Sequence, residues 1–162
     1  MKKNIGTILL ILIVASTLIS CKKGEPELEQ DHIISVMDNF DLPSNTEWMV
    51  ILPGLGCKGC IQEGEYFIKE NARNPKTFIV LTKIESLKIL QHKLNIRVDT
   101  IPNVHVDKES KYVLPTNNSI YPCIVHLKDG TYESHEFQSP ENGNAFERLA
   151  AQLLINANNA TN

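Results

Sequence analysis

The chain has 162 residues, which is room for one globular domain, and a formal net charge of −3. A mildly acidic chain without a basic cluster argues against nucleic acid as a partner. It contains four cysteines, so the compartment and the pairing of these thiols decide which chemistry is open to it.

Residues 1–20 have the layout of a secretory signal. Two lysines precede an apolar run from Ile5 to Ala15, and small and apolar residues follow. The run is shorter than the roughly 20 residues that a membrane span needs. Its ending, Leu-Ile-Ser-Cys, resembles the lipobox of bacterial lipoproteins. That resemblance implies cleavage before Cys21 and attachment of diacylglycerol to its thiol. An ordinary secreted protein or an uncleaved anchor is the alternative.

On this interpretation the protein is lipid-anchored to a bacterial membrane and faces the periplasm or the exterior. Several acyl chains on one residue give stable anchoring, at ~0.8 kcal/mol for each buried methylene. Residues 21–31 then form the lipidated end and a polar, flexible tether. The folded domain is predicted over 32–157, with a frayed tail over 158–162. Removal of the two signal-peptide lysines takes the net charge from −3 to −5.

Lipidation of Cys21 leaves three thiols, Cys57, Cys60 and Cys123. A purely structural disulfide framework in an oxidising compartment normally pairs all of its cysteines. We therefore expect one thiol to stay unpaired or to change partners.

Hydrophobic periodicity predicts alternating helices and strands in the rest of the chain. The predicted elements are, in order, a helix over 32–41, a strand over 47–53, a helix over 60–72, a strand over 77–82, a helix from Ile84 to Leu94, short extended pieces at 104–106 and 112–114, strands over 121–127 and 131–137 joined by an Asp-Gly turn, and a terminal helix capped at Ser139-Pro140. This order predicts an α/β fold, a mixed sheet with helices on both faces.

The stretch LPGLGCKGC places a Cys-x-x-C between the first core strand and the helix after it. Within this element order, the motif resembles the thioredoxin fold, and the resemblance covers residues 45–157. It is closest to the membrane-tethered thioredoxin-like disulfide reductases of bacterial envelopes. In that family a cis-proline begins the hairpin strand and lies beside the cysteine pair, a role that falls here on Pro122. The chain departs from the family at Gly56, usually Trp, and at Ile51, an Asp in thioredoxin.

The resemblance implies thiol–disulfide exchange on protein disulfides, with electrons from a membrane or periplasmic donor and no cofactor beyond the cysteines. A cysteine at a helix N-terminus is favoured as thiolate, and Lys58 adds a positive charge, so we expect Cys57 to attack and Cys60 to resolve. The backbone of Tyr121, held by Pro122, is expected to pair with an extended substrate.

Three alternatives stay open for the cysteines. The pair is a structural bridge in a non-catalytic binding module, or it joins Cys123 and His126 as a zinc set. A copper site would use the pair with His126 or His105. The strand geometry weighs against zinc, because positions three apart point to opposite faces. Cys123 itself is expected to be a small buried residue, with a three-thiol relay as the sharper hypothesis.

Overall fold

The computed structural model describes residues 23–159, with side chains up to residue 157. Within them lie four α-helices, α1 Glu25–Met37, α2 Lys58–Asn71, α3 Leu87–Leu94 and α4 Ala145–Asn159, and five strands, β1 Trp48–Pro53, β2 Thr77–Thr82, β3 Val104–Val106, β4 Cys123–Lys128 and β5 Thr131–Phe137. Two 3-10 turns, Val98–Thr100 and Asn117–Ile120, complete the set. The predicted signal peptide and Cys21 lie outside the described residues.

The strands form one mixed sheet in the order β3-β2-β1-β4-β5. The pairs β1–β2 and β2–β3 are parallel, whereas β4 pairs antiparallel with both β1 and β5. The central strand is β1, and it is almost continuously apolar because both of its faces are covered. The predicted α/β class with helices on both faces is confirmed, and the arrangement is consistent with a thioredoxin-like fold.

The core consists of two layers, one on each face of the sheet. Val50 and Leu52 of β1 face the layer that α2, α3 and α4 cover. Met49 and Ile51 face the opposite layer, which α1 covers with Ile33, Val36 and Met37. Alternate residues of one strand thus serve both layers, as the two-residue repeat of a strand requires.

Helix α1 begins at Glu25, inside the segment that the sequence predicted as a flexible tether. Pro26 lies in the first turn, where a missing N–H costs nothing. Glu29 is only 3 % exposed and lies on the same helical stripe as Ile33, so the buried face of this helix includes a polar side chain beside the apolar ones. The folded unit therefore extends at least to residue 25.

Two other sequence predictions differ from the structure. Tyr112–Leu114 is irregular, because the preceding loop turns around the buried Asp107, whose carboxylate accepts the Tyr112 N–H at 2.9 Å. Helix α4 begins at Ala145, not after Pro140. The buried Gln138 holds the intervening turn, since its side chain donates to the Gly143 carbonyl and accepts the Phe146 N–H. In the described part of the chain, no helix is long and apolar enough to cross a membrane.

Candidate disulfide-exchange site

The end of β1 and the start of α2 place the Cys-x-x-C at one edge of the sheet. The strand ends at Pro53 and the helix begins at Lys58, with Cys57 as its N-cap residue. Ile61 donates its N–H to the Cys57 carbonyl at 2.9 Å, which is the first helical hydrogen bond. The predicted position of the pair at a helix N-terminus is therefore what the structure shows.

Cys57 and Cys60 are joined by a disulfide, with their Cα atoms 5.3 Å apart. Cys57 is partly exposed, whereas Cys60 is only 6 % exposed. Lys58 and Gly59, between them, are exposed. One sulfur thus lies on the side open to a partner molecule and the other beneath it, an asymmetry that suits one attacking and one resolving thiol.

Gly56 explains one departure from the thioredoxin pattern. It has a φ of +152°, and a Cβ built on it would lie 2.2 Å from the Ile120 carbonyl oxygen. The same oxygen accepts the Cys57 N–H at 2.9 Å. A larger residue here, such as the family's Trp, would displace the Ile120 backbone and break this hydrogen bond.

The antiparallel register, with Ile51 opposite Cys123, brings Tyr121 and Pro122 beside the end of β1. No peptide bond is cis among residues 23–159, so the expected cis-proline at Pro122 is corrected: its peptide bond is trans, the form that X–Pro bonds favour by about 0.5–1 kcal/mol. Tyr121 donates its N–H to the Asn118 carbonyl, and Pro122 is buried. Of the two backbone groups of Tyr121, N–H and carbonyl, that were expected to pair with a substrate strand, the N–H therefore already has an acceptor.

Cys123 lies in the other layer of the core. It is fully buried among the apolar residues that α1 covers, while α2 packs on the opposite face. Burial, with smaller contributions from the charges of Glu29 and Glu136, raises the pKa of Cys123 well above its ordinary value. The thiol is free in the structure.

The residues considered for a metal site do not converge. Within residues 23–159, no three His, Cys, Asp or Glu side chains are grouped as metal ligands. His126 faces the layer opposite Cys123, stacks on Trp48 at 4.4 Å and contacts Glu133 at 2.6 Å. His105 contacts Phe40 and Tyr112 instead.

A buried polar cluster beside this edge was not anticipated from the sequence. Glu29 accepts hydrogen bonds from Thr116 at 2.5 Å and Asn118 at 2.8 Å, and its other oxygen lies 3.2 Å from His135 Nε2. The second His135 nitrogen lies 2.7 Å from the Tyr132 hydroxyl. The side chain of His135 is only 10 % exposed. The one signal for the cluster is the place of Glu29 in an otherwise apolar helical stripe.

Hydrogen bonding outweighs burial in setting the charge of this cluster. Burial alone would raise the pKa of Glu29, but hydrogen bonds from Thr116, Asn118 and His135, and the charge of His135, together hold the pKa below its ordinary value. His135 Nε2 lies within hydrogen-bond distance of the Glu29 carboxylate, and Nδ1 lies within hydrogen-bond distance of the Tyr132 hydroxyl.

A groove between two helices lies away from the cysteines. It has a volume of about 360 Å³ between α2 and α4, and neither Cys57 nor Cys60 lines it. Apolar walls from Phe67 and Phe146 carry acidic residues at the rim, among them Glu63. Glu65, on the same helix, forms an ion pair with Lys93 of α3. Glu63 therefore lies at the groove and Glu65 in an ion pair with Lys93, and neither Cys57 nor Cys60 takes part.

No family model and no curated protein matches this chain. What the structure itself shows is an α/β fold, consistent with a thioredoxin-like one, and a Cys57–Cys60 disulfide at the N-terminus of α2.

Proposed function

We propose that the protein is a thiol–disulfide oxidoreductase that acts on protein disulfides in the bacterial cell envelope. The observation that carries the proposal is the asymmetric disulfide at the start of α2, with Cys57 partly exposed and Cys60 buried. Helix N-termini favour thiolates, and a thiolate is the attacking species in exchange.

The proposed reaction uses both sulfurs of the reduced pair. The Cys57 thiolate attacks one sulfur of a substrate disulfide, forms a mixed disulfide and releases the other substrate sulfur as a thiolate. The Cys60 thiolate then attacks the Cys57 sulfur, closing the Cys57–Cys60 disulfide and releasing the second substrate thiolate. An external dithiol reduces the pair again and becomes oxidised, so two electrons pass from donor to substrate in each cycle.

Exposed apolar side chains near Cys57 support a polypeptide substrate. Leu55, two residues before Cys57, is 48 % exposed. Ile120, whose carbonyl accepts the Cys57 N–H, is 41 % exposed. A Cβ at Gly59 would meet nothing within 4 Å, so a partner backbone has room to approach there.

Insulin reduction by the chain over residues 22–162, with dithiothreitol as donor, tests the proposal. We expect the wild type to accelerate the reaction and Cys57→Ser to abolish the acceleration. Cys60→Ser should accumulate a mixed disulfide with insulin, because the resolving thiol is missing. The matched control is Cys123→Ser, which should retain most of the activity. Equal rates in wild type and Cys57→Ser would retire the enzyme proposal.

The second candidate is a non-catalytic binding module with a structural bridge. The observation favouring it is that the disulfide is already closed at a turn that backbone hydrogen bonds also hold. In that case no variant should change insulin reduction.

The lipid anchor is a separate proposal that rests on the lipobox resemblance at Cys21. Expression of the full chain in a bacterial host tests it. We expect the protein in the membrane fraction and Cys21→Ser in the soluble or unprocessed fraction. An identical distribution of the two would contradict lipidation.

A further inference from the structure

One short turn forms the wall beside the cysteine pair. Thr116 caps the 3-10 turn Asn117–Ile120, accepting the Asn118 N–H at its side chain and the Ser119 N–H at its carbonyl. We call residues 116–120 the wall turn. Its last carbonyl, that of Ile120, accepts the Cys57 N–H at 2.9 Å.

The other end of the wall turn is fixed from the opposite layer of the fold. One oxygen of the Glu29 carboxylate accepts hydrogen bonds from the Thr116 hydroxyl and from the side-chain amide of Asn118. Glu29 is 3 % exposed, so these charge-assisted bonds lie where water competes poorly. A second, weaker contact joins Asn117 to Glu25 at 3.4 Å.

We propose that Glu29 is a positioning residue for Cys57, acting from α1 through the wall turn. The contacts run from the Glu29 carboxylate to Thr116 and Asn118, through one turn of backbone to Ile120, and from its carbonyl to the Cys57 amide. The consequence for disulfide exchange rests on the proposed function, whereas the positioning itself does not.

The physical reason lies in the N-cap position of Cys57. The amide of an N-cap residue has no acceptor within its own helix, so the Cys57 amide takes the Ile120 carbonyl as its acceptor and thereby ties the approach of the chain to α2. The Gly56 backbone already lies against Ile120, so a shift of the wall turn also displaces the residue before Cys57. If the wall turn moves, Cys57 therefore loses the hydrogen bond of its amide and keeps that of its carbonyl to Ile61.

Amide hydrogen exchange in the oxidised chain over residues 22–162 tests the positioning directly. The variants are Thr116→Val, which removes one hydroxyl, and Glu29→Leu, which removes the carboxylate. Thr116→Ser keeps the hydroxyl and serves as the rescue. Glu47→Gln is the matched control, because Glu47 also accepts side-chain hydrogen bonds, from Lys76 and Asn156, but lies at the other end of β1.

We expect exchange at the Cys57 amide to accelerate roughly five- to tenfold in Thr116→Val and more in Glu29→Leu, the scale of losing hydrogen bonds to a buried group. The core amide of Ile79, bonded to the Asn103 carbonyl, should change much less. Thr116→Ser and Glu47→Gln should match the wild type. The proposal is overturned if Cys57 and Ile79 accelerate in step in Thr116→Val, since that marks a purely global loss of stability.

Insulin reduction by the same variants then connects positioning to exchange. We expect a severalfold slower reaction in Thr116→Val and recovery in Thr116→Ser. An inactive wild type would refute the proposed function and leave the exchange result standing. An active wild type with an unchanged Cys57 amide in Thr116→Val would instead refute the positioning role.

Discussion

At the scale of single residues, two glycines beside the disulfide have opposite surroundings. Gly56 has a positive φ and no space for a Cβ, whereas a Cβ on Gly59 would meet nothing within 4 Å. The same chemical change at the two positions should therefore have opposite effects on folding. This pair separates backbone strain near the cysteines from the general effect of added bulk.

We expect Gly56→Ala to lower the free energy of unfolding by about 1–3 kcal/mol, from backbone strain and the clash with Ile120. Gly59→Ala should leave it unchanged or raise it by up to about 1 kcal/mol, because alanine favours a helix. Urea unfolding of the oxidised proteins measures both. Equal stability of the two variants would contradict the close approach of Gly56 to Ile120.

Cys123 allows a second prediction at this scale. It is fully buried, and burial raises the pKa of Cys123, so its thiol should be both inaccessible and neutral in the native protein. We expect iodoacetamide at pH 8 to alkylate Cys57 in the reduced protein and to leave Cys123 unmodified until denaturant is added. Mass spectrometry of the peptides distinguishes the sites. Rapid native alkylation of Cys123, or a mixed disulfide that contains it, would support the three-thiol relay instead.

At the scale of elements, the strands were predictable, whereas only the C-terminal part of the first helix was, since the predicted helix began at residue 32 and α1 begins at Glu25. Residues 77–82 are a continuous apolar run, and β2 has those same bounds, because a strand buried on both faces needs apolar residues throughout. The N-terminal half of α1 is polar, and its docking depends on Glu29, whose partners come from residues 116–135. Such long-range hydrogen bonds leave no local pattern in a sequence.

The candidate site divides in the same way. The Cys-x-x-C and its place before a helix follow from local spacing, so the sequence predicted them. The wall turn was not predicted as part of the site, because its connection to Cys57 is one backbone hydrogen bond across more than 60 residues. The start of α4 was missed for a related reason, since the capping side chain is Gln138 rather than Ser139.

The docking of α1 should depend on pH through Glu29. Because the pKa of Glu29 is lowered in the folded protein, its contribution to stability is fully present above its unfolded pKa, near 4.5, and is lost as the pH falls through the folded value. We expect Glu29→Gln to cost about 1–3 kcal/mol at pH 7. Its difference from the wild type should shrink as the pH falls from about 5 to about 3.

Urea unfolding at a series of pH values measures this difference. The groups that face Glu29 are His135 and Tyr132 of β5 and Cys123 of β4. Asp107→Asn serves as a positive control. Asp107 is a second buried carboxylate with a lowered pKa, and it follows β3 at the opposite edge of the sheet, so its variant should show the same trend independently of Glu29. A difference between Glu29→Gln and the wild type that is constant with pH would contradict a charged Glu29.

At the scale of the whole molecule, the disulfide and the core are separate sources of stability. Neither Cys57 nor Cys60 belongs to the two apolar layers, which meet across β1. The disulfide closes a loop of only four residues, so its effect on the unfolded chain is about 2 kcal/mol or less. Reduction should therefore leave a folded protein, which is what an exchange cycle requires.

We expect dithiothreitol to lower the free energy of unfolding of the wild type by about 2 kcal/mol at most. The reduced wild type should then be as stable as the double variant Cys57→Ser, Cys60→Ser, which has no disulfide to reduce. Ile33→Ala, which opens the fully buried α1 layer, should cost about 2–5 kcal/mol in either redox state. Urea unfolding with and without reductant gives these values. A structural clamp would show the reverse order, with reduction costing more than Ile33→Ala. Because an exchange enzyme must be folded in both redox states, a cost of reduction larger than that of Ile33→Ala would contradict the exchange cycle.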